Sequence, residues 1–393
     1  MNFVIFCYNF PPMCNAEAFC SARFASALAQ AGHNVHVVTM DHVWAVDESV
    51  YNALVDKTIK ITRIKQSDKT GFKFFSRIKY RLRRKSACEI AHCVKALRKA
   101  LIETDSPILI SRSLPEMSNI VAWYCRKYAA KWIAHFSDPF PFSMGRWRTY
   151  VDYVFNRWEI MWGKRIIRDS SVVSITCEAA KQYFHDFYGP IFDNKKVIVT
   201  AHIGEPPLKT KRTWQRDCKG VLVVHAGGLW VSRGAKQVAE AFEKLNQNGC
   251  NFYFCQVGEI EKEAKCCFEN KPWAKIIDND NPDLAAAVLD TADICFISDM
   301  KTSLSYSPFL PSKFVYQLFT DTPIVACSVK NSEMFQFAQL YPEAGVIFAD
   351  SNVNGSLVRA FMIASQVTKK GVLRDRIRGA FTRKAIQKLY ESQ

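Results

Sequence analysis

The sequence lacks any run of about 18 uninterrupted apolar residues, which is what a helix needs to span a bilayer. Its first residues, Met1–Cys7, carry no basic region and lead into Pro11-Pro12, so we expect a buried strand there rather than a secretion signal. Internal repeats and low-complexity tracts are also missing. These absences argue against a spanning membrane protein, a repeat protein and a disordered tail, and favour a soluble or peripheral globular protein.

Paired cysteine spacing is missing as well. The chain has 14 cysteines but no CxxC motif, and its closest cysteines lack the histidines or second pair that a zinc site needs. These closest cysteines are Cys88 and Cys93, Cys250 and Cys255, and Cys266 and Cys267. The pattern is typical of buried free thiols in a reduced cytosol. We therefore predict a cytoplasmic protein with no metal site and no bound cofactor.

Acidic residues are few relative to basic ones. Against 53 Lys and Arg residues there are 37 Asp and Glu residues, which gives a formal net charge of +16 over 393 residues. Such an excess favours an anionic partner, which is nucleic acid, an anionic lipid surface or a phosphate-bearing substrate. Composition alone leaves these three open.

One basic segment, Phe72–Lys85, is interleaved with aromatic residues. As a helix it groups Phe75, Ile78 and Leu82 on one side and spreads arginine and lysine over the rest, which favours docking on an anionic membrane surface. An ordinary solvated helix and a nucleic-acid contact are the alternatives. A second aromatic and basic segment, Arg146–Arg165, either extends this surface or packs inside.

Two βαβ patterns predict two parallel sheets. The first consists of a strand at Phe3–Cys7, a helix and a strand at His33–Thr39, and one face of the helix carries Phe24, Ala27, Leu28 and Ala31. The second consists of a strand at Val221–His225, a helix and a strand at Phe252–Val257, and one face of its helix carries Val238, Ala241, Phe242 and Leu245. This alternation predicts an α/β fold with helices packed on the sheets.

The domain boundary is expected between these two patterns. Residues 205–219 are polar and basic and contain Pro206-Pro207, as a hinge between domains does. We predict an N-terminal Rossmann-like domain over 1–204, a linker over 205–219 and a C-terminal Rossmann-like domain over 220–375. The last segment, 376–393, has a helical pattern and is expected to cross back onto the first domain.

Ligands of open α/β sheets bind beyond the carboxyl ends of the strands. After the first strand of the second domain, Gly227 and Gly228 allow close approach of backbone to a ligand, and Arg233 offers a guanidinium fork for a diphosphate. A tight turn with a solvated arginine is the alternative. Further on, Ser312 is expected to cap a helix over Lys313–Phe319. The start of this helix is expected to bind an anion or a sugar hydroxyl, and a capped helix that binds no ligand is the alternative.

In the first domain, the loop Asn9–Glu17 joins the first strand to the first helix, and His135 and Asp138 follow a later strand. Both loops are expected to face the cleft between the domains. His135 is either a satisfied core histidine or a catalytic one. Asp138, which precedes a proline, is either a turn-former or a site residue.

A series of short motifs occurs in order along nearly the whole chain. They are Tyr8–Pro12 with Glu17, Ala31–Thr39, Ser111–Pro115, Asp138–Phe140, Gly227–Leu229, Arg233-Gly234, Leu310–Lys313 and Thr322–Ala326. Taken together, they resemble the retaining GT-B glycosyltransferases of family four, also called glycosyl transferases group 1.

The resemblance implies the GT-B fold, in which two Rossmann-like domains face a cleft, with a nucleotide-diphosphate sugar as substrate and no metal. It assigns the donor to Gly227, Gly228, Arg233, Pro311, Ser312, Lys313 and Tyr316. It assigns catalysis to Arg233, which neutralises charge on the departing diphosphate, and to Asp138. The acceptor side comprises Asn15, Ala16, Arg112 and His135.

The sequence departs from the family pattern at several positions. Cys14–Ala16 replaces the glycine pair of the first loop, and Ser137 stands where a histidine often precedes the aspartate. The two acidic residues of the family's donor site correspond to Pro308 and Tyr316, and its first phosphate-binding basic residue corresponds to Gly228. These departures leave the nucleotide and the sugar open. Tyr316 retains the capacity to hydrogen-bond a ribose hydroxyl or to stack on a base.

The predicted function is that of a glycosyltransferase, peripheral on the inner face of the cytoplasmic membrane. It transfers a sugar with retention to a glycan or lipid-linked acceptor in the synthesis of a bacterial-type surface polysaccharide such as capsule, O-antigen or exopolysaccharide. The alternatives are a non-catalytic glycan-binding or scaffold subunit of the same fold and a sugar-nucleotide epimerase. Nucleic acid is not an expected partner, because such binding explains none of the ordered motifs.

Overall fold

The structure is a computed structural model that describes residues 1–41, 48–65, 87–112, 115–141, 150–205, 213–278, 282–368 and 374–392. The chain forms two compact units, one comprising Met1–Ile203 with Arg383–Gln393 and the other comprising Gly204–Thr382. The basic segment Phe72–Lys85 lies outside the described residues, as do residues 146–149 of the second aromatic and basic segment.

The first unit is built on a parallel sheet of seven strands, counted over the described residues. The strands are β1 (Asn2–Cys7), β2 (Asn34–Asp41), β3 (Lys60–Lys65), β4 (Ile108–Arg112), β5 (Lys131–Phe136), β6 (Val172–Ile175) and β7 (Val197–Val199). Their spatial order is β3-β2-β1-β4-β5-β6-β7. Strands β2 and β3 therefore lie on one side of β1 and strands β4 to β7 on the other, and the order reverses between β1 and β4. In β1, β5 and β6 nearly every residue is buried, as in a parallel sheet covered on both faces.

Helices connect these strands, and the first of them has both a capping residue and a buried apolar face. They are α1 (Ala16–Gln30), α2 (Glu48–Leu54), α3 (Ala87–Ile102), α4 (Pro115–Cys125), α5 (Tyr150–Asp169), α6 (Ala179–Tyr188) and α7 (Pro190–Asp193), with a 3-10 turn at Arg126–Tyr128. Asn15 caps α1, since its side chain accepts a hydrogen bond from the Ala18 amide at 2.8 Å. The predicted apolar face is buried at Phe24, Ala27 and Leu28.

The second unit contains a six-stranded parallel sheet over the described part of the chain. Its strands are β8 (Val221–Ala226), β9 (Phe252–Val257), β10 (Ala274–Ile277), β11 (Ile294–Ser298), β12 (Ile324–Ser328) and β13 (Val346–Asp350). The order β10-β9-β8-β11-β12-β13 again reverses direction once, between β8 and β11. In sheets of this topology the reversal marks the place where ligands bind.

The helices of the second unit are α8 (Ala235–Gln247), α9 (Lys262–Lys265), α10 (Pro282–Asp290), α11 (Ser312–Gln317), α12 (Glu333–Leu340), α13 (Ser356–Ala364) and α14 (Asp375–Arg378), with 3-10 turns at Val231–Arg233, Pro342–Ala344 and Gly379–Phe381. The apolar face of α8 packs into the core at Val238, Phe242 and Leu245. The predicted cap of α11 was wrong. The cap residue is Pro311, and Ser312 is the first helical residue, because the proline has the extended backbone that precedes a helix.

The last helix, α15 (Arg383–Glu391), belongs to the first unit. Its Tyr390 is buried against Phe24 of α1, with ring centroids 4.9 Å apart, and Ile386 is buried in the same core. Helix α14 lies in the second unit instead. The segment that returns to the first unit therefore begins at Arg383 and not at residue 376.

Candidate functional site

Two close-packed glycines, Gly227 after β8 and Gly258 after β9, lie at the carboxyl ends of neighbouring strands, and β8 borders the reversal point of the second sheet. Gly227 and Gly258 have φ angles of +109° and +107°, which favour glycine. A Cβ on Gly258 would lie 2.9 Å from the Gly227 Cα, so position 258 has no room for a side chain. The Gly227 amide donates to the Val257 carbonyl at 2.6 Å. The two strand ends are thus held in direct backbone contact.

Two buried polar side chains, His225 and Gln256, hold the loop at Gly227 by hydrogen bonds. His225 Nδ1 and Gln256 Oε1 lie 2.7 Å apart, and Gln256 Nε2 donates to the Gly227 carbonyl at 2.6 Å. Burial lowers the pKa of His225, with a smaller contribution from Lys313, so the imidazole is neutral. The pattern of the sequence did not point to this pair, because both residues lie inside strands that otherwise look apolar.

Arg233 lies beside the turn and is held by an indole. Its guanidinium stacks on the Trp230 ring at 4.2 Å from the centroid, and its Nη1 donates to the Gly228 carbonyl at 3.2 Å. A Cβ on Gly228 would lie 2.7 Å from the same ring. The tryptophan therefore occupies the space that a side chain at 228 would need, which explains the glycine there.

Lys313, in the first turn of α11, brings a second cation to the same turn. A side chain on Gly227 would overlap the Lys313 ammonium group. The Nζ atom is buried and has no hydrogen-bond partner within the described structure. Burial, followed by the charge of Arg233, lowers the pKa of Lys313 to about 7. Two cations thus converge on one glycine turn.

Of the other predicted donor residues, Pro311, Ser312 and Tyr316 lie on or just before α11 and are half-buried.

Asp299, which sequence reasoning missed, lies just after β11 on the other side of the reversal point. Its carboxylate accepts hydrogen bonds from Ser307, from Ser328 at 2.9 Å and from the Met300 amide at 2.8 Å. Burial raises its pKa, and these hydrogen bonds and Arg233 oppose that rise. Ser298 also donates to the Arg233 carbonyl at 2.5 Å. The end of β11 therefore anchors the backbone of the loop that carries Arg233.

A second polar group lies at the reversal point of the first sheet, where Cys7 of β1 is in register with Arg112 of β4. Arg112 is 2% exposed, its Nε and Nη1 atoms have no hydrogen-bond partner among the described residues, and its guanidinium lies 4.8 Å from the Phe24 ring centroid. Glu17, in the first turn of α1, interacts electrostatically with Arg112 and with Asp138. Burial, together with Asp138, raises the pKa of Glu17 to about 7.

His135 belongs to the same group. It is fully buried, its Nδ1 lies 2.8 Å from Ser174 Oγ, and its Nε2 has no hydrogen-bond partner in the described structure. Burial and then Arg112 lower its pKa, so the ring is neutral. Ser174 also bonds Thr200 at 2.8 Å. His135 is therefore a core histidine with one ring nitrogen hydrogen-bonded and the other without a partner in the described structure.

The remaining predicted residues of the first unit have distinct positions. Asn15 caps α1 through its side-chain oxygen, whereas Ala16 is exposed as the first residue of that helix. Asp138 lies two residues beyond β5 and is half-buried. The structure thus places Glu17, Arg112, His135 and Asp138 in one electrostatic group, and Glu17 is the member that residue-by-residue prediction omitted.

Comparison with known proteins identifies the fold. No family model matches the chain, and no curated protein matches it in sequence. Solved structures do match over the full length of the chain. Sucrose-phosphate synthase from Thermosynechococcus elongatus is 13% identical with a TM-score of 0.70, covering 100% of this chain and 98% of its own. The chain has the GT-B fold.

Two further glycosyltransferase structures agree with this fold. Anabaena HepE, solved in complex with UDP and glucose, is 12% identical with a TM-score of 0.66, covering 99% of this chain and 98% of its own. The lipopolysaccharide outer core galactosyltransferase WaaB is 12% identical with a TM-score of 0.59, covering 100% and 98%. These matches confirm the predicted α/β fold of GT-B type.

Two features are missing among the described residues, namely a metal-binding group and a membrane-spanning helix. Within the described ranges, no group of three or more His, Cys, Asp or Glu side chains has an arrangement that holds a metal ion. Over the same ranges, no helix has both the length and the apolar character required to cross a bilayer.

Proposed function

We propose that this chain is a glycosyltransferase that uses a nucleotide-diphosphate sugar as donor. The observation that carries the proposal is the convergence of Arg233 and Lys313 on the Gly227 turn, at the ligand-binding end of the second sheet. A buried lysine nitrogen without a partner costs stability, and an anionic ligand relieves that cost. A diphosphate supplies two negative charges against these two cations.

The chemistry assigned to this site is charge stabilisation during departure of the nucleoside diphosphate. The bond between the anomeric carbon and the diphosphate oxygen breaks, a bond forms between that carbon and the acceptor oxygen, and the proton of the acceptor hydroxyl passes to the departing diphosphate. Arg233 and Lys313 neutralise the charge that develops on the diphosphate, in the role that a metal ion has elsewhere. We propose that the reaction is metal-independent and retaining, which rests on the resemblance of the motifs.

We assign the acceptor to the first unit. Arg112 and the Nε2 atom of His135 offer polar atoms without partners, and Glu17 with Asp138 adds carboxyl oxygens. A group with one cation, two carboxyls and a neutral imidazole matches a sugar with several hydroxyls better than it matches a strong anion. Asn15 and Ala16 lie at the adjacent start of α1.

The biological setting is also part of the proposal. WaaB is described as a lipopolysaccharide outer core galactosyltransferase, and HepE was solved with UDP and glucose. By analogy, we propose transfer to a glycan or lipid-linked acceptor in surface polysaccharide synthesis, at the inner face of the cytoplasmic membrane. The segment Phe72–Lys85, which lies outside the described residues, is the proposed membrane contact.

A calorimetric titration of the purified protein with UDP-, GDP-, ADP- and dTDP-sugars tests the donor assignment. We expect one nucleotide to bind in the micromolar range and to raise the melting temperature, since a ligand that binds only the folded state stabilises it. The Arg233→Ala variant should lose this binding. No binding by any member of the panel, from a folded protein, contradicts the proposal. Conversion of a bound donor without acceptor identifies an epimerase instead.

The second candidate function is that of a non-catalytic scaffold or glycan-binding subunit. It is favoured by Pro308 and Tyr316, which stand where the resembling family has acidic residues. It predicts that cells need the protein but that Arg233→Ala leaves their surface glycan unchanged. A loss of glycan in that variant supports transfer.

A further inference from the structure

Three buried hydroxyl groups lie together in the first unit, and one of them belongs to the last helix. They are those of Ser174 in β6, Thr200 just after β7 and Tyr390 in α15, each at most 1% exposed. Ser174 Oγ lies 2.8 Å from Thr200 Oγ1. The Tyr390 hydroxyl lies 3.3 Å from Ser174 Oγ and 3.4 Å from Thr200 Oγ1. We name these three groups the hydroxyl cluster.

His135 is joined to the hydroxyl cluster through one of its two ring nitrogens. Its Nδ1 atom lies 2.8 Å from Ser174 Oγ, and the two residues are in register on the neighbouring strands β5 and β6. Burial keeps the pKa of His135 well below its ordinary value, so the imidazole is neutral and only one nitrogen carries a proton. The position of that proton decides whether the buried Nε2 atom donates or accepts a hydrogen bond.

The protons of the hydroxyl cluster can be followed, because each hydroxyl has only one to donate. Ser174 donates its proton to Thr200. It therefore has none left for His135, and Nδ1 is the donor in the bond between them. Thr200 in turn has the Tyr390 oxygen as its other side-chain neighbour among the described residues, and Tyr390 has Ser174. In this arrangement every proton of the buried cluster has an acceptor.

The opposite tautomer of His135 is less favourable at this position. It would place an N–H group at Nε2, which is buried and has no hydrogen-bond partner among the described residues. In proteins, buried N–H groups without an acceptor are rarer than acceptors without a donor. The charge of Arg112, which acts on His135, also attracts a lone pair more than an N–H group.

We infer that Tyr390 is a positioning residue for His135. By accepting the Thr200 proton it fixes the tautomer in which Nδ1 is protonated, so Nε2 presents a lone pair. The ligand group that this nitrogen selects is a hydrogen-bond donor, which a sugar hydroxyl is and an ionised phosphate or carboxylate oxygen is not. The choice of a sugar rests on the proposed function, whereas the tautomer does not.

Nitrogen-15 NMR of the full-length protein labelled at histidine tests the inference, since protonated and bare ring nitrogens have well-separated shifts. His135→Gln identifies the His135 signals among those of the eight histidines. In the unchanged protein at pH 7.5, Nδ1 should be the protonated nitrogen.

Tyr390→Phe removes the acceptor of the Thr200 proton from the hydroxyl cluster. Thr200 should then donate to Ser174, and Ser174 should donate to Nδ1 of His135, which leaves the imidazole proton on Nε2. The tautomer ratio should shift toward protonated Nε2 by about tenfold or more, which is the effect of one buried hydrogen bond.

Tyr188→Phe is the matched control. Tyr188 is 3% exposed in the same unit, and its hydroxyl donates to the Phe140 carbonyl at 2.7 Å and not to the hydroxyl cluster. This variant also loses a buried hydroxyl, but it should keep the tautomer of the unchanged protein. Thermal melts of both phenylalanine variants check that each is folded.

Methyl glycosides of glucose, galactose and N-acetylglucosamine, titrated into the unchanged protein at millimolar concentration, test the ligand group. At least one should move the Nε2 signal of His135 toward that of a protonated nitrogen, as accepting a hydrogen bond does. A panel without any such shift overturns the assignment of a hydroxyl to Nε2 but not the tautomer.

Two results overturn the role of Tyr390. One is a protonated Nε2 in the unchanged protein, and the other is the same tautomer ratio in Tyr390→Phe as in Tyr188→Phe. Nucleotide affinity, measured by calorimetry on the same samples, should be equal in both variants and the unchanged protein. A protein that has the expected tautomer but binds no nucleotide contradicts the proposed function and leaves this inference standing.

Discussion

The two polar groups at the sheet reversals differ in charge. In the second unit, Arg233 and Lys313 converge on a glycine turn, and the nearby Asp299 is already engaged by two serine hydroxyls. In the first unit, Arg112 is accompanied by two carboxyls, Glu17 and Asp138. The same strand order thus carries a cationic site in one unit and a mixed site in the other. The difference supports the proposal of a diphosphate in the second unit and a hydroxyl-rich ligand in the first.

Both groups contain buried polar atoms without hydrogen-bond partners among the described residues, such as Lys313 Nζ and Arg112 Nε. Each such atom costs about 1–3 kcal/mol of folding free energy. Structures keep few of these atoms, and their concentration at two ligand-binding ends indicates that ligands complete them. Substitutions that remove them should therefore stabilise the fold and weaken binding.

The largest expected effect distinguishes the two arginines. Arg233→Ala should reduce sugar transfer by about 100- to 1,000-fold, as the loss of a donor to a developing anion does. Arg112→Ala should leave nucleotide affinity within about twofold and raise the acceptor concentration needed for half-maximal rate. Calorimetry and initial rates measure both.

Arg359→Ala is the control for these variants, since Arg359 is an exposed arginine of α13. It should behave like the unchanged protein. If Arg112→Ala abolishes nucleotide binding as completely as Arg233→Ala does, the assignment of one ligand to each unit is wrong.

The next effect concerns the glycine turn on which the cationic site depends. Gly227→Ala should destabilise the second unit by about 2–4 kcal/mol, because it combines a strained φ with overpacking against Lys313. Gly249→Ala is the matched control, with a φ of +76° and no atom within 4 Å of its Cβ. It should cost about 1 kcal/mol. Thermal unfolding measures the difference, and equal costs would show that Lys313 does not fill this space.

The Lys313→Met variant should have higher stability and lower function than the unchanged protein. The unfolded chain binds a proton at this lysine up to its ordinary pKa of 10.5, whereas the folded pKa is about 7. Stability of the unchanged protein therefore rises with pH from about 7 to 10.5. The methionine variant should be about 1–3 kcal/mol more stable at pH 7.5, with a smaller pH dependence.

Nucleotide binding should show the opposite pH trend. Above pH 7 the free protein loses the Lys313 charge, so affinity for a nucleotide sugar should fall by up to about tenfold per pH unit. In Lys313→Met the affinity should be lower and nearly flat between pH 6.5 and 8.5. Calorimetry at three pH values separates these cases. A pH-independent affinity in the unchanged protein contradicts the role of Lys313.

Much of this organisation could be predicted from the sequence. The periodicity of the two βαβ patterns predicted β9 at its observed bounds, and the buried face of α8 followed from its spacing. The cap of α11 could not be predicted in the same way, because residue preferences favour Ser312 over Pro311 at that position. The reason for glycine at 228 also required coordinates, since it depends on where the Trp230 ring lies. Contacts between residues far apart in the sequence, such as His225 with Gln256 on the paired strands β8 and β9, leave no local pattern.

The mixed group of the first unit can be tested through the protonation of Glu17. Glu17 has a folded pKa of about 7, raised by burial and by Asp138, with Cys20 adding to the rise and Arg112 and His202 opposing it. The folded state therefore holds this proton more tightly than the unfolded chain does, and its stabilising contribution is complete below pH 4.5 and lost as pH rises through 7. Glu17→Gln keeps the neutral shape, so its stability relative to the unchanged protein should increase by about 3 kcal/mol between pH 4.5 and 7.5. Thermal melts across that range, with the exposed Glu48→Gln as control, measure the trend. A constant difference would mean that Glu17 is ionised throughout, and the first unit would then hold two charges that suit a cationic acceptor better than a neutral sugar.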